Sequence, residues 1–327
     1  MRVFRSLPVS LVALIVALAG CADSSGTASK ATPEVEAGEF TVVATHSILG
    51  DLVRSVAGGA VVVETVMPAG ADPHEFEPSA QQIEVMGAAD LLVVNGLGFE
   101  EQLLETIEAA EADGVPVLNL GEELDPIPFA GGHGEHAEEG SEGEHAEGSD
   151  DPHWFQDPDR VAEAARLAGA ELGKRSDARA PEEWTAAAEE YATSLEGLAA
   201  EMESTLAAVP DADRKLVTNH DAFGYFADRF DFEVVGTVIP SGTTLAEPSA
   251  AGLEELVETI EREGVPAIFA ENAQPEQLAD TLVSEVDIEV RVAELFSDSL
   301  GEEGSDGATY VGMMQANAAR VAEALAG

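Results

Sequence analysis

The chain has 327 residues, 45% of them hydrophobic, enough for a globular core. Its 64 acidic residues outweigh 15 lysines and arginines, giving a formal net charge of -49. A chain this acidic does not bind nucleic acid or an anionic membrane face by charge, and with one cysteine it forms no intramolecular disulfide.

The N-terminus reads as a secretory signal. Arg2 and Arg5 precede an apolar run from Leu11 to Ala19, which is short for a bilayer span. Leu18-Ala19-Gly20-Cys21 closes the run and resembles the bacterial lipobox, implying cleavage before Cys21 and lipidation of its sulfur. Residues 1–20 are thus expected to be a lipoprotein signal peptide. Residues 21–39, poor in anything to bury, are expected to be a flexible tether. The body that follows is expected outside the cytoplasm, held on the outer face of the cytoplasmic membrane as a lipoprotein.

From Phe40 onward, β-rich runs alternate with helical stretches. In the first half the expected strands are Phe40–Thr45, Val61–Val66, Leu91–Val94 and Val115–Leu118. The expected helices are Ile48–Ala57, Ser79–Met86 and Phe99–Ala112. The second half repeats the rhythm, with strands Lys215–Thr218, Phe232–Val238, Val265–Ala270 and Ile288–Val292. Its helices are Ala222–Arg229, Ala250–Glu263, Pro275–Glu285 and Thr309–Leu325. Such alternation implies parallel sheets flanked by helices, an α/β protein of two halves. Between them, residues 181–208 place Trp184, Tyr191, Leu195, Leu198, Met202 and Leu206 mostly at helical spacings behind Pro181. At roughly 1.5 Å per residue this connecting helix reaches about 40 Å. The expected domains are 40–180 and 209–327 on either side of it.

The phrase Asp-Pro-His occurs twice, as Asp72-Pro73-His74-Glu75-Phe76-Glu77-Pro78 and as Asp151-Pro152-His153-Trp154-Phe155-Gln156-Asp157-Pro158. Proline fixes φ, so each copy presents its imidazole from a stiff loop. His220, after Lys215–Thr218, and Asp298, after Ile288–Val292, also follow expected strands. Ligands bind at the carboxyl ends of strands in open parallel sheets. His74, His153, His220 and Asp298 therefore form a four-coordinate set suited to Zn²⁺ in a cleft between the halves.

These phrases, with Met67-Pro68-Ala69-Gly70, His220-Asp221-Ala222-Phe223-Gly224-Tyr225, Glu247-Pro248-Ser249 and Asp298-Ser299-Leu300-Gly301, resemble the zinc/manganese solute-binding proteins of ABC importers, the TroA-like family. The resemblance runs from about Phe40 to the C-terminus, and a closely similar subgroup is the zinc-binding lipoprotein type. It implies two Rossmann-like lobes joined by a long helix, metal capture in the cleft, and delivery to an ABC permease in the cytoplasmic membrane. It also implies ligand roles for His74, His153, His220 and Asp298. Manganese-selective relatives tend to carry a carboxylate at the third ligand, so His220 favours Zn²⁺, with Mn²⁺ the alternative. A monomer is expected.

The remaining candidates are auxiliary. His46 ends the first strand and reads as a packed residue or a neighbour of the ligands. Glu247 and Glu271 follow β-rich stretches and are candidates to accept a ring N–H from a ligand histidine. Residues 130–151 are Gly, Glu and Ser with His133, His136 and His145, and read either as a weak zinc-capturing loop or as a solvated one. A secreted zinc hydrolase or a surface adhesin is the competing class. Asp298 would close the fourth position that a hydrolase leaves to water. The chain has no HExxH helix or Ser-His phrase, and nothing like an adhesin repeat. The expectation is therefore a binding protein and not an enzyme.

Overall fold

Two four-stranded parallel sheets with the same strand order form the frame. In a computed structural model, which describes residues 39–129, 150–246, 248–274 and 277–326, the first sheet contains β1 (Thr41–Ala44), β2 (Val62–Thr65), β3 (Leu91–Val94) and β4 (Val117–Asn119), in the order β2-β1-β3-β4. The second contains β5 (Lys215–Thr218), β6 (Glu233–Thr237), β7 (Ala267–Glu271) and β8 (Arg291–Leu295), in the order β6-β5-β7-β8. β3 is buried along its whole length, as an all-apolar run covered on both faces must be. In both sheets the order reverses beside the first strand, so the crevice at the carboxyl ends falls next to β1 and β5.

Several helices carry local reasons for their limits. α1 (Ser47–Ala57) buries Ile48, Leu49, Leu52, Val53 and Val56, and stops at Gly58, whose φ of 54° is left-handed. α2 (Ala80–Gly87) starts in a capping box between Ser79 and Gln82. Glu101–Leu103 form a 3₁₀ turn before α3 (Leu104–Ala112). In the second half, α6 (Gly224–Phe230), α7 (Ala250–Glu263), α8 (Gln277–Glu285) and α9 (Tyr310–Leu325) alternate with the strands.

Two helices meet at the centre. α4 (Pro158–Arg175) begins with Asp157 accepting from the Asp159 N–H, with Pro158 at its first position. α5 (Pro181–Leu206) is 26 residues long, about 39 Å at 1.5 Å per residue. It buries Trp184, Ala188, Leu195, Leu198, Met202 and Leu206. A Cβ on Gly169 would come within 2.4 Å of the Ala188 Cβ, so glycine there is what lets α4 and α5 pack closely. One continuous apolar cluster runs from α1, α4 and α5 through Phe155, Phe223 and Phe226 to Leu295 and α9, crossing both lobes. Smaller clusters close the outer face of each sheet. A shared core of this kind opposes large lobe movements, as a large apolar interface does.

Two expectations change. α4 was not among the expected helices, although Asp157-Pro158 is a helix start. β8 spans Arg291–Leu295 and not Ile288–Val292. The alternating Ile288, Val290 and Val292 read as strand, but pairing of Ala267–Glu271 with Arg291–Leu295 sets the register. β8 is an edge strand, and Ile288 and Val292 are each 39% exposed. Residues 1–38 and 130–149, with Cys21, His133, His136 and His145, lie outside the described residues, as does Glu247.

Candidate metal centre

The loop after β2 delivers His74. Asp72 shapes it, its Oδ1 accepting the His74 backbone N–H at 2.9 Å. The other oxygen of Asp72 crosses to the second lobe, accepting from Thr244 Oγ1 at 2.7 Å and Gln274 Nε2 at 2.5 Å. His153 is held from both lobes. Tyr225 Oη donates to the Asp151 carbonyl at 2.9 Å, Tyr310 Oη to the Phe155 carbonyl at 2.7 Å, and Asn95 Nδ2 to the Pro152 carbonyl at 2.9 Å. His220 follows β5 directly. Asp298 sits in a loop stitched to the first lobe: Ser47 Oγ accepts the Leu300 N–H at 3.0 Å and lies 3.1 Å from Ser299 Oγ. Ser299 Oγ in turn accepts the Gly70 N–H at 2.8 Å.

These loops bring His74, His153, His220 and Asp298 together, with one donor atom from each within 4.8 Å of the others. All four are buried. The Nε2 atoms of His74, His153 and His220 lie 3.6, 3.6 and 3.1 Å from the Asp298 carboxylate. None of the three Nε2 atoms, nor Asp298 Oδ1, has a hydrogen-bond partner among the described residues. Four buried polar atoms aimed at one point without partners are costly unless something fills that point. Three imidazole nitrogens and one carboxylate oxygen are the donor chemistry of a four-coordinate divalent cation. Phe99 and Phe155 wall the rings, with Phe99 centred 5.3 Å from His74 and 5.7 Å from His153.

On the far side of each ring a carboxylate meets Nδ1. Asp151 Oδ1 lies 2.7 Å from His153 Nδ1, Glu271 Oε2 lies 2.6 Å from His220 Nδ1, and Glu101 Oε1 lies 3.1 Å from His74 Nδ1. On a neutral ring a carboxylate there keeps the one proton on Nδ1, so that once the second proton is lost the Nε2 lone pair faces inward. Burial would lower His74, but the carboxylates of Asp298 and Glu101 push it up to about 9. His220 likewise rises well above its ordinary value, because Glu271 and Asp298 outweigh burial. Burial would raise Asp298, yet the facing His220 and His153 hold it well below the carboxylate range.

His46 is buried against the same aromatic rings, 5.0 Å from Phe99 and 5.8 Å from Phe155 by ring centres, and is not in the four-donor group. Burial lowers it to about 3, so it is neutral. Glu271, considered from sequence only as a ring acceptor, has that geometry at His220. Sequence reasoning missed Glu101 and Asp151 as ring partners. Asp151 stood inside the second Asp-Pro-His phrase, two residues from its histidine. Nothing local marked Glu101, 27 residues from His74.

Residues 42–324 match the family described as ZnuA, zinc-uptake complex component A, periplasmic. The chain is 31% identical over 293 residues to the zinc-binding protein TroA of Treponema pallidum, covering 88% of this chain and 90% of that one. It is 28% identical over 318 residues to the manganese-binding lipoprotein MntA of Halalkalibacterium halodurans, covering 97% of this chain and 96% of that one. The solved structure of periplasmic zinc-binding TroA from Treponema pallidum aligns with a TM-score of 0.77 at 30% identity, over 88% of this chain and 99% of that chain. With two α/β lobes of this kind and a match along most of its length, the chain belongs to the family of periplasmic zinc-uptake complex component A proteins.

Proposed function

We propose that this protein captures Zn²⁺ between its lobes and delivers it to an ABC permease for import, with His74, His153, His220 and Asp298 as the four ligands. The observation that carries the reading is the convergence of three partnerless Nε2 atoms and a carboxylate in one buried pocket. The closed donor set and the family both speak for binding and not catalysis. The working division is a lobe at 40–180, a connecting helix at 181–208 and a lobe at 209–327. Residues 1–20 act as signal and Cys21 carries the lipid, with 21–39 as tether. The proposed anchor is the lipid on Cys21; separately, no helix among the described residues is long and apolar enough to cross a membrane. The protein acts as a monomer on the outer face of the cytoplasmic membrane. His133, His136 and His145 serve at most as weak auxiliary donors.

Manganese is the second reading, favoured by the name of the MntA relative. Against it stands the ligand set, since three imidazoles and one carboxylate suit zinc better than harder, oxygen-preferring Mn²⁺. The test is isothermal titration of the mature chain with each metal after chelator treatment, with metal content by mass spectrometry. One tightly bound zinc per chain is expected. No binding of either metal, or tighter binding of manganese in direct competition, would reject this reading.

A further inference from the structure

Among the described residues, three phenylalanine rings stand edge-on to His153: Phe99, Phe155 and Phe129, at 5.7, 6.0 and 6.2 Å between ring centres. Phe99 and Phe155 are fully buried, whereas Phe129 is partly exposed. His153 is itself fully buried, so Phe129 is the ring that stands between this ligand and solvent. The same ring crosses to the second lobe and rests on Gly242, where a Cβ would come within 2.0 Å of Phe129 Cζ. We infer that Phe129 is a positioning residue that acts as a shutter: seated in the Gly242 cradle, it covers the His153 side of the metal centre and sets the rate at which metal enters and leaves. The inference rests on the metal-binding reading above.

Three observations carry it. The ring projects from the stem that also presents His153. Pro128 bridges Asp150, the Asp151 N–H donates to the Ile127 carbonyl at 2.8 Å, and the Ile127 N–H donates to Tyr225 Oη at 3.1 Å. The cradle belongs to a second-lobe strap that reaches the other two imidazole loops. The Ser241 carbonyl accepts the Asp221 N–H at 3.0 Å, beside His220, and Thr244 Oγ1 donates to Asp72, two residues from His74. Phe129 meets this strap between those two attachments, so its ring closes the first lobe on the second where the ligand loops converge. The contact is also of a kind that can break and reform. Ring carbons against a glycine involve no charge and no hydrogen bond, so parting them forfeits only dispersion and apolar burial. The buried carboxylate and imidazole pairs behind the ligands are different, since parting them strands a buried charge. The Phe129–Gly242 contact breaks whether the ring swings out or the strap lifts, and either movement uncovers His153. Glycine at 242 is what the closed position requires, because a methyl group would occupy the place of the ring.

The experiment is stopped-flow release of Zn²⁺ from the loaded protein into excess chelator, with capture by the stripped protein measured in parallel. Phe129→Ala removes the shutter, and Gly242→Ala fills its cradle from the opposite lobe. Each should speed both release and capture by about tenfold, the scale on which one lost aromatic contact acts on a rate. Because both rates rise together, affinity should change far less than either. In the Phe129→Ala background, Gly242→Ala should have no further effect, because the ring it displaces is gone. Co²⁺ bound to each variant should retain the visible absorption of the wild-type complex, showing an unchanged ligand set and an intact fold. Wild-type rates in both variants, faster release without faster capture, a Gly242→Ala effect that persists without Phe129, or an altered Co²⁺ spectrum would overturn the inference. Failure of the wild type itself to bind metal would instead reject the underlying function.

Discussion

Glu271 meets His220 twice, one oxygen accepting the backbone N–H at 2.9 Å and the other lying 2.6 Å from the ring Nδ1. The pair joins the end of β7 to the turn after β5, so the edge where two neighbouring strands finish also fixes an imidazole. Both side chains are fully buried. Glu271→Gln should keep the shape but remove the charge that holds the Nδ1 proton. A loss of about 10–100-fold in zinc affinity is expected. Calorimetric titration checks it, and an unchanged affinity would mean that Glu271 is only structural.

Ligand loss should cost more than partner loss. On the proposed ligand set, His74→Ala and His153→Ala each open the coordination shell, whereas His46 packs against Phe99 and Phe155 and is outside the four-donor group. The two ligand variants should therefore lose more than the roughly 100-fold upper range for a partner, and His46→Ala should bind zinc like wild type. Titration of the three variants side by side decides. Equal losses in His46→Ala and His74→Ala would refute the ligand assignment.

The pH dependence follows from His74 and His46 with opposite signs. In protein stripped of metal, His74 titrates near 9, above its ordinary 6.5. Its proton stabilises the stripped protein fully below pH 6.5, and that contribution is lost as pH rises toward 9. Zinc needs the neutral ring, so apparent affinity should rise with pH through the same window, by about tenfold per pH unit for each proton released. His46, lowered to about 3, works the other way. Its burial as a neutral ring is without pH cost above 6.5 and destabilises the fold increasingly as pH falls toward 3. Zinc titrations from pH 6 to 9 and thermal melts of stripped His46→Ala and wild type from pH 7 to 4 test both. An affinity flat from pH 7 to 9 would contradict the raised His74, and parallel melts would contradict the lowered His46.

Much of this was legible because the chemistry sits in short, stiff phrases. Asp72-Pro73-His74 and Asp151-Pro152-His153 announce themselves, and β3 or α7 can be read from local pattern alone. What stayed hidden depends on tertiary pairing. The two aspartates look alike in sequence and each accepts the backbone N–H of its own histidine, yet Asp151 also meets its histidine's ring while the second oxygen of Asp72 reaches across to Thr244 and Gln274. Their neighbours decide: Tyr225 and Tyr310 clamp the second phrase, and among the described residues no tyrosine does this for the first. Glu101 reaches His74 only because β3 lies one strand beyond β1 from β2. The register of β8 was likewise set by β7 and not by its own alternation. α4 is a different kind of miss, since its start signal was present beside a more conspicuous motif.

Selectivity should rest on His220. In the proposed ligand set it is the one imidazole supplied by the second lobe, and of the three its Nε2 lies nearest to Asp298, at 3.1 Å. His220→Glu would replace a borderline nitrogen donor with a harder oxygen donor able to bind through both oxygens, which suits Mn²⁺. It would also set a second carboxylate beside Asp298 and put a new negative charge near Glu271. The carboxylate pair then has to be neutralised by the ion, which favours any divalent cation, while the change of donor type favours the harder one. Zinc should still bind, because its intrinsic affinity for a given site is higher. The ratio of manganese to zinc affinity should nevertheless rise, on the order of tenfold for a 1.4 kcal/mol change in relative donor preference. Competition titration with both metals on wild type and variant gives the ratio directly. To separate donor type from the charge clash, His220→Glu is combined with Glu271→Gln, which removes the like charge behind it. A ratio unchanged in both variants would place selectivity in the geometry of the lobes or in the permease, and not in this ligand.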